Sequence, residues 1–136
     1  MKKTGVLNSD ISRVLSYMGH TDKICIGDCG LPIPTACERI DLAVRLGSPS
    51  FMEVLSVIAD DMKIEKIYLA EEIKIHNPKI LTQIQELLQK NNQTLLIEFL
   101  PHTSFKERTK DCKAVLRTGE TTPYANIILE SGCIFA

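Results

Sequence analysis

The chain reads as an α/β protein: a three-layer α/β/α domain spanning residues 1–136, with a mostly parallel sheet and helices on both faces. Three observations predict this. Amphipathic stripes at helical spacing alternate with short apolar runs along most of the sequence. Those runs are bounded by turns, the mark of buried strands. The last two runs have no helix between them, which leaves room for one strand to run antiparallel. At 136 residues the chain suits one sizeable core, and it contains no internal repeat, low-complexity segment or linker.

The first helix is predicted over about residues 9–18, because Leu7, Ile11, Val14, Leu15 and Met18 share one face. Asn8 or Ser9 caps its start and Gly19 its end. Lys23 to Asp28 is an apolar run after a turn, so a buried strand with Asp28 at its carboxyl end. Cys29 to Glu38 is irregular, since Gly30, Pro32 and Pro34 restrict its dihedrals. Arg39 to Val44 is a second strand or extended chain, broken by Gly47, Ser48 and Pro49. Phe51, Val54, Leu55, Ile58, Ala59 and Met62 form a second helical stripe behind a Ser50 cap. A strand follows over Ile64–Ala70 and ends at Glu71 and Glu72. Asn77 is an N-cap and Pro78 a first helical residue, opening a helix to about Lys90. Thr94–Leu100 is a strand, with Pro101 and His102 beyond it. Ser104 caps a weaker helix to about Asp111, and Lys113–Thr118 and Asn126–Glu130 are the last strands.

Composition narrows the function. The chain is 44% hydrophobic and 24% charged, with a net charge of −1. That argues against nucleic-acid or anionic-membrane partners, which recruit clustered Lys and Arg. No apolar run suits a signal peptide or a membrane span, so a cytoplasmic location is expected. The five cysteines read as reduced thiols, mostly small buried hydrophobes. His20, Cys25, Cys29 and Cys37 lie close in sequence, but their spacings match no structural zinc pattern.

In open α/β sheets, ligands bind beyond the carboxyl ends of the strands. Asp28, Glu71, His102, and Arg117–Thr118 with the Tyr124 loop would all share that rim if the strands are parallel. His20 precedes its strand, so it belongs to the opposite rim. Either His20 is a structural cap, or it completes a site on a neighbouring subunit. Glycine-rich phosphate loops and the G-x-S-x-G elbow are absent. What remains is two histidines, an aspartate, a tyrosine and an asparagine. That set suits a neutral, polyhydroxylated ligand better than an anionic one.

Each residue also has a plainer reading. His20 could meet the last carbonyls of the first helix, and Asp28 could cap a turn. His102 could be an exposed loop residue and His76 a helix-entry residue. Tyr124 could be core with its hydroxyl satisfied. Glu71–Glu72 reads more readily as a solvated strand end than as an acid–base pair.

Sequence segments then identify a resemblance. V-L-N-S-D-I-S (6–12), M-G-H-T-D (18–22), G-L-P-I-P (30–34), R-I-D-L-A (39–43), P-S-F-M (49–52), A-E-E-I-K (70–74), H-N-P (76–78) and R-T-G-E-T-T-P-Y-A-N-I-I-L (117–129) are similar to the D-ribose pyranase family from end to end. The related L-fucose mutarotases share the fold and the histidine region, and G-L-P-I-P favours ribose. The resemblance implies interconversion of the β-pyranose and β-furanose forms of D-ribose. It implies a proton donor at His20 and sugar contacts at Asp28, His102, Tyr124, Ala125 and Asn126. It implies ring-shaped homodecamers with sites between subunits, and no metal or organic cofactor. The segment before His102 matches loosely, and Cys25, Cys29 and Cys37 lie outside the family pattern. The rival readings are a non-catalytic ribose-binding accessory of a transport system, an L-fucose mutarotase and, more distantly, a cysteine-based redox or metal protein.

Overall fold

The computed structural model describes residues 1–91 and 94–135. Its elements, in order, are α1 (Ser9–Tyr17), β1 (Lys23–Gly27), β2 (Glu38–Asp41), α2 (Phe51–Asp61), β3 (Ile64–Ala70), α3 (Ile73–His76), α4 (Pro78–Asn91), β4 (Leu96–Leu100), α5 (His102–Arg108), β5 (Ala114–Arg117) and β6 (Ile127–Ser131). A single 3₁₀ turn, Thr109–Asp111, follows α5.

Local chemistry starts the helices where the sequence places them. The Asn8 side chain accepts the Ile11 N–H at 3.0 Å and opens α1. The Ser50 hydroxyl accepts the Glu53 N–H at 3.1 Å and opens α2. Each bond satisfies a helix donor that would otherwise lack a partner. The chain after α1 differs from expectation. Gly19 does not close it in a left-handed turn; Thr21 takes the positive φ, at 67°. The neighbouring backbone imposes this, because Thr21 N–H donates to Ser131 O and Ser131 N–H to Asp22 O.

The six strands form one sheet in the order β2-β5-β1-β6-β3-β4. β1, β2 and β5 pair in parallel, as do β3 and β4. β6 lies between β1 and β3 and is antiparallel to both, with Ile127 opposite Ile26 on one side and Leu69 on the other. Five strands therefore point one way and share a carboxyl rim, while one runs against them.

Both faces of the sheet are covered. Ile24 and Ile26 of β1, Ile67 and Leu69 of β3, Leu116 of β5, and Ile127 and Leu129 of β6 join one apolar cluster with α1, α2 and α4. The intervening residues Cys25, Tyr68, Val115 and Ile128 face the other side, with Phe105 of α5 and Leu31 of the 29–37 loop. This two-residue alternation is the pleat of the strands. The three layers are thus α1, α2 and α4, then the sheet, then α5 with the 29–37 loop. Cys25, Cys37 and Cys112 sit within or against the second cluster. Burial pushes the Cys25 thiol well up and the Cys112 thiol up to about 12. Cys37 is raised by burial and by Glu38. Thiols held protonated in this way are poor nucleophiles and act as packing.

Two elements depart from the sequence reading. α3 is a four-residue turn of helix, Ile73–His76, between the expected strand end at Glu72 and the Asn77 cap, where the sequence predicts no element. α5 begins at His102, two residues before the expected Ser104 cap. Its first N–H group is met from outside: the Glu72 carboxylate oxygens accept the His102 N–H at 3.1 and 3.0 Å. A cap supplied by another element leaves no local signature in the sequence.

Candidate functional site

The candidate site grows from the end of β1. An added Cβ at Gly27 would lie 2.7 Å from Leu31 Cδ2 and 3.2 Å from Asn126 Oδ1. Without that atom, the 29–37 loop folds down on the strand end and Asn126 reaches Asp28. Asp28 N–H donates to Asn126 Oδ1 at 2.8 Å, and Asn126 Nδ2 donates back to Asp28 Oδ2 at 3.1 Å. Asp28 Oδ1 accepts the Gly30 N–H at 2.9 Å, a local Asx turn. Asn126 is 1% exposed, while Asp28 is half-buried at the cleft. Asp28 caps a turn, as its plainer reading held, and it also lines a cleft.

That cleft, of about 370 Å³, is lined by Asp28, Leu31, His102, Lys106, Tyr124 and Asn126, among others. It lies at the low end of ligand-pocket volumes, so it suits a small ligand. Four segments supply these groups: the end of β1, the 29–37 loop, α5 and the 117–126 loop. Tyr124 has φ 57°, a conformation non-glycine residues adopt when their surroundings impose it. Its ring meets the His102 ring edge-on, with centroids 5.0 Å apart, and the His76 ring at 5.4 Å. Ala125 is fully buried beside them.

His102 is half-buried, and its Nδ1 is a buried polar atom without a hydrogen-bond partner. In a cleft, such an atom is a place for a ligand hydroxyl. Burial lowers the His102 pKa and Lys106 lowers it further, against opposing pulls from Glu72 and Asp28. The ring is therefore largely neutral at pH 7, with one nitrogen free to accept. Burial alone would raise the Glu72 carboxyl; its own N–H, the His102 N–H and the two nearby imidazoles bring it below the ordinary value.

The structure thus brings Asp28, His102, Tyr124 and Asn126 to one cleft and Ala125 to the core beneath. It does not bring His20 there. His20 precedes β1, at the opposite rim, where its Nε2 lies 2.9 Å from Glu65 Oε1 at the start of β3. The ring meets that carboxylate rather than the last carbonyls of α1. Arg117 turns aside too, forming a two-bond pair with Asp41 of β2 at 3.0 and 2.6 Å. Thr118 is buried, with its hydroxyl on Gly27 O at 2.8 Å. Glu71 is exposed and pairs with Lys74 at 2.8 Å. Among the described residues, no three His, Cys, Asp or Glu side chains are grouped to hold a metal ion.

Sequence reasoning missed Lys106. Its signal was present: with α5 starting at His102, the i, i+4 spacing puts Lys106 on the same face as His102. Placing the helix start at Ser104 hid that relation.

Comparison with known proteins adds the following. The sequence profile of the RbsD / FucU transport protein family matches residues 1–134. A D-ribose pyranase of Bacillus cereus (strain G9842) is 56% identical over 135 residues, covering 99% of this chain and 100% of that protein. A D-ribose pyranase of Lactiplantibacillus plantarum is 54% identical with the same coverage. Among solved structures, Bacillus subtilis RbsD complexed with D-ribose superposes with a TM-score of 0.93 at 46% identity, covering 99% of this chain and 100% of that one. The fucose mutarotase of Streptococcus pneumoniae, in complex with L-fucose, gives a TM-score of 0.80 at 27% identity, with 95% of each chain covered.

Proposed function

The chain belongs to the RbsD / FucU transport protein family, and from that premise we propose that it is a D-ribose pyranase, interconverting the β-pyranose and β-furanose forms of the sugar. The observation that carries the reading is the cleft, in a chain more than half identical to D-ribose pyranases along its whole length. Its carboxylate, imidazole, phenol and amide offer both donors and acceptors to a small polyol. The activity supports ribose uptake and use. The proposed compartment is the cytoplasm; among the described residues, no helix is long and apolar enough to cross a membrane.

The chemistry needs few groups. Ring opening delivers a proton to the ring oxygen and removes one from the anomeric hydroxyl. Reclosure through a different hydroxyl reverses both transfers. Nothing is oxidised or phosphorylated. In this reading Asp28, Tyr124, the backbone at Ala125, and Asn126 hold the sugar hydroxyls, and neutral His102 accepts from one of them. Lys106 adds a donor at the cleft wall. His20 is the proton donor, an imidazole being a group that can both give and take a proton. Positioned acid–base catalysis of this kind contributes on the order of 10²–10⁴-fold.

His20 lies on the rim opposite its own cleft, so this mechanism requires a neighbour. The proposed assembly is a ring-shaped homodecamer in which His20 of one subunit enters the cleft of the next. Several large apolar side chains stand out from the single chain and would be covered on assembly, among them Val44, Leu46, Ile75 and Ile134, each about 80% exposed. Magnetisation-transfer NMR on D-ribose tests the function. Wild-type protein is expected to accelerate pyranose–furanose exchange, and His20→Ala to lose the acceleration by about 10²-fold or more. Binding of ribose by the wild type without faster exchange would refute the isomerase.

A further inference from the structure

We propose that Asn77, at the entry to α4, is a positioning residue for the sugar cleft: its side-chain amide clamps the Thr122–Pro123 turn and so presents Tyr124 to the ligand. The inference rests on the cleft being the ribose site.

Asn77 is 7% exposed. Its Nδ2 donates to Thr122 Oγ1 and to the Pro123 carbonyl, both at 2.9 Å. These two bonds use both N–H groups of the amide. They grip the two residues immediately before Tyr124, whose backbone is held in the left-handed region. The Thr122 hydroxyl in turn donates to Glu120 Oε2 at 3.0 Å, and Glu120 Oε1 accepts the Phe51 N–H at 3.1 Å. The turn is therefore tied to the starts of both α2 and α4. The residue next to Asn77, His76, places its ring 5.4 Å from that of Tyr124. One short segment thus supplies both a clamp for the Tyr124 backbone and a neighbour for its ring. The sequence places a helix start at Asn77, and α4 begins directly after it at Pro78; the Asn77 side-chain donors also reach across the chain.

Asn77→Asp isolates the clamp. The carboxylate keeps the shape, and Asp remains a good residue at a helix start. It cannot donate, and it faces two oxygens that both need a donor. The expected result is a KM for D-ribose raised about tenfold, equivalent to about 1.4 kcal/mol, with kcat within about twofold of wild type. Tyr124 is one of three tyrosines, so its ¹³C ring signals in labelled protein are assignable with Tyr124→Phe. They are expected to shift in free Asn77→Asp protein.

A residue acting through Tyr124 must also be non-additive with it. On a Tyr124→Ala background, Asn77→Asp is expected to raise KM less than about twofold further. An unchanged KM, a loss in kcat alone, or full additivity would each overturn the proposal. If Asn77→Asp does not fold, Thr122→Val removes one of the two acceptors and the same cycle is run with it. A wild-type protein that fails to accelerate ribose exchange would instead overturn the ribose reading, and the proposal with it.

Discussion

The Asp28–Asn126 clasp shows how a single residue type decides the site. The Asn126 amide answers the Asp28 N–H with its oxygen and the Asp28 carboxylate with its nitrogen, and Asn126 itself is buried. Asn126→Asp replaces a donor with a second carboxylate against Asp28. Unpaired buried polar groups cost about 1–3 kcal/mol, so a stability loss of that size is expected in urea melts, with ribose binding weakened about tenfold or more by calorimetry. Gly27→Ala tests the same contact from below. Its Cβ would press on Leu31 and Asn126, so ribose affinity is expected to fall although Gly27 carries no side chain to touch the sugar. His102 gives a pH signature. Burial and Lys106 hold its folded pKa below the ordinary value. The stability it contributes is therefore fully present above pH of about 6.5 and is lost as pH falls through the folded pKa. An NMR titration of its ring is expected to show a midpoint below 6.5, and a midpoint above it would contradict the assigned surroundings. Most of these residues were legible because Asp28 and His102 each follow an apolar strand. Lys106 was not, because its relation to His102 depends on where α5 begins.

At the scale of elements, the helices that carry their own start signals were the legible ones. Ser50 is the clearest case. Ser50→Ala removes the acceptor for Glu53 N–H and is expected to destabilise the fold by about 1 kcal/mol. Denaturant melts should show that loss, while KM for ribose stays at the wild-type value, because no residue of α2 lines the cleft. β3 was legible to the residue, since Ile64 to Ala70 is an apolar run between a helix and two glutamates. α3 and the start of α5 were not. α3 is one turn long, too short to show a period, and α5 is capped by Glu72 from 30 residues away. Two strands proved shorter than expected: Thr94 and Leu95 precede β4, and Thr118 lies past β5, bonded to Gly27.

For the whole molecule, alternation of helical and apolar segments was enough to predict the layers and a mostly parallel sheet. The absence of a helix between the last two strands left room for an antiparallel one, and β6 fills that place. Strand order was not legible, because pairing β6 between β1 and β3 depends on contacts about 60 to 100 residues apart. Strand direction reaches furthest: His20 precedes β1 and Asp28 follows it, so the parallel strands hold them on opposite rims. The proposed mechanism requires assembly: it predicts a decamer in light-scattering chromatography, and loss of turnover under conditions that yield single subunits.

One measurement addresses the activity and its dependence on a neighbour together. His20→Ala and Asp28→Ala subunits, each inactive alone, are dissociated, mixed in equal amounts and reassembled, and ribose exchange is followed by magnetisation transfer. If His20 serves the cleft of an adjacent subunit, about one quarter of the interfaces in a randomly mixed ring join an intact His20 to an intact Asp28. Exchange is then expected to return to about one quarter of the wild-type rate. A mixture as inactive as its components would contradict a site shared between subunits.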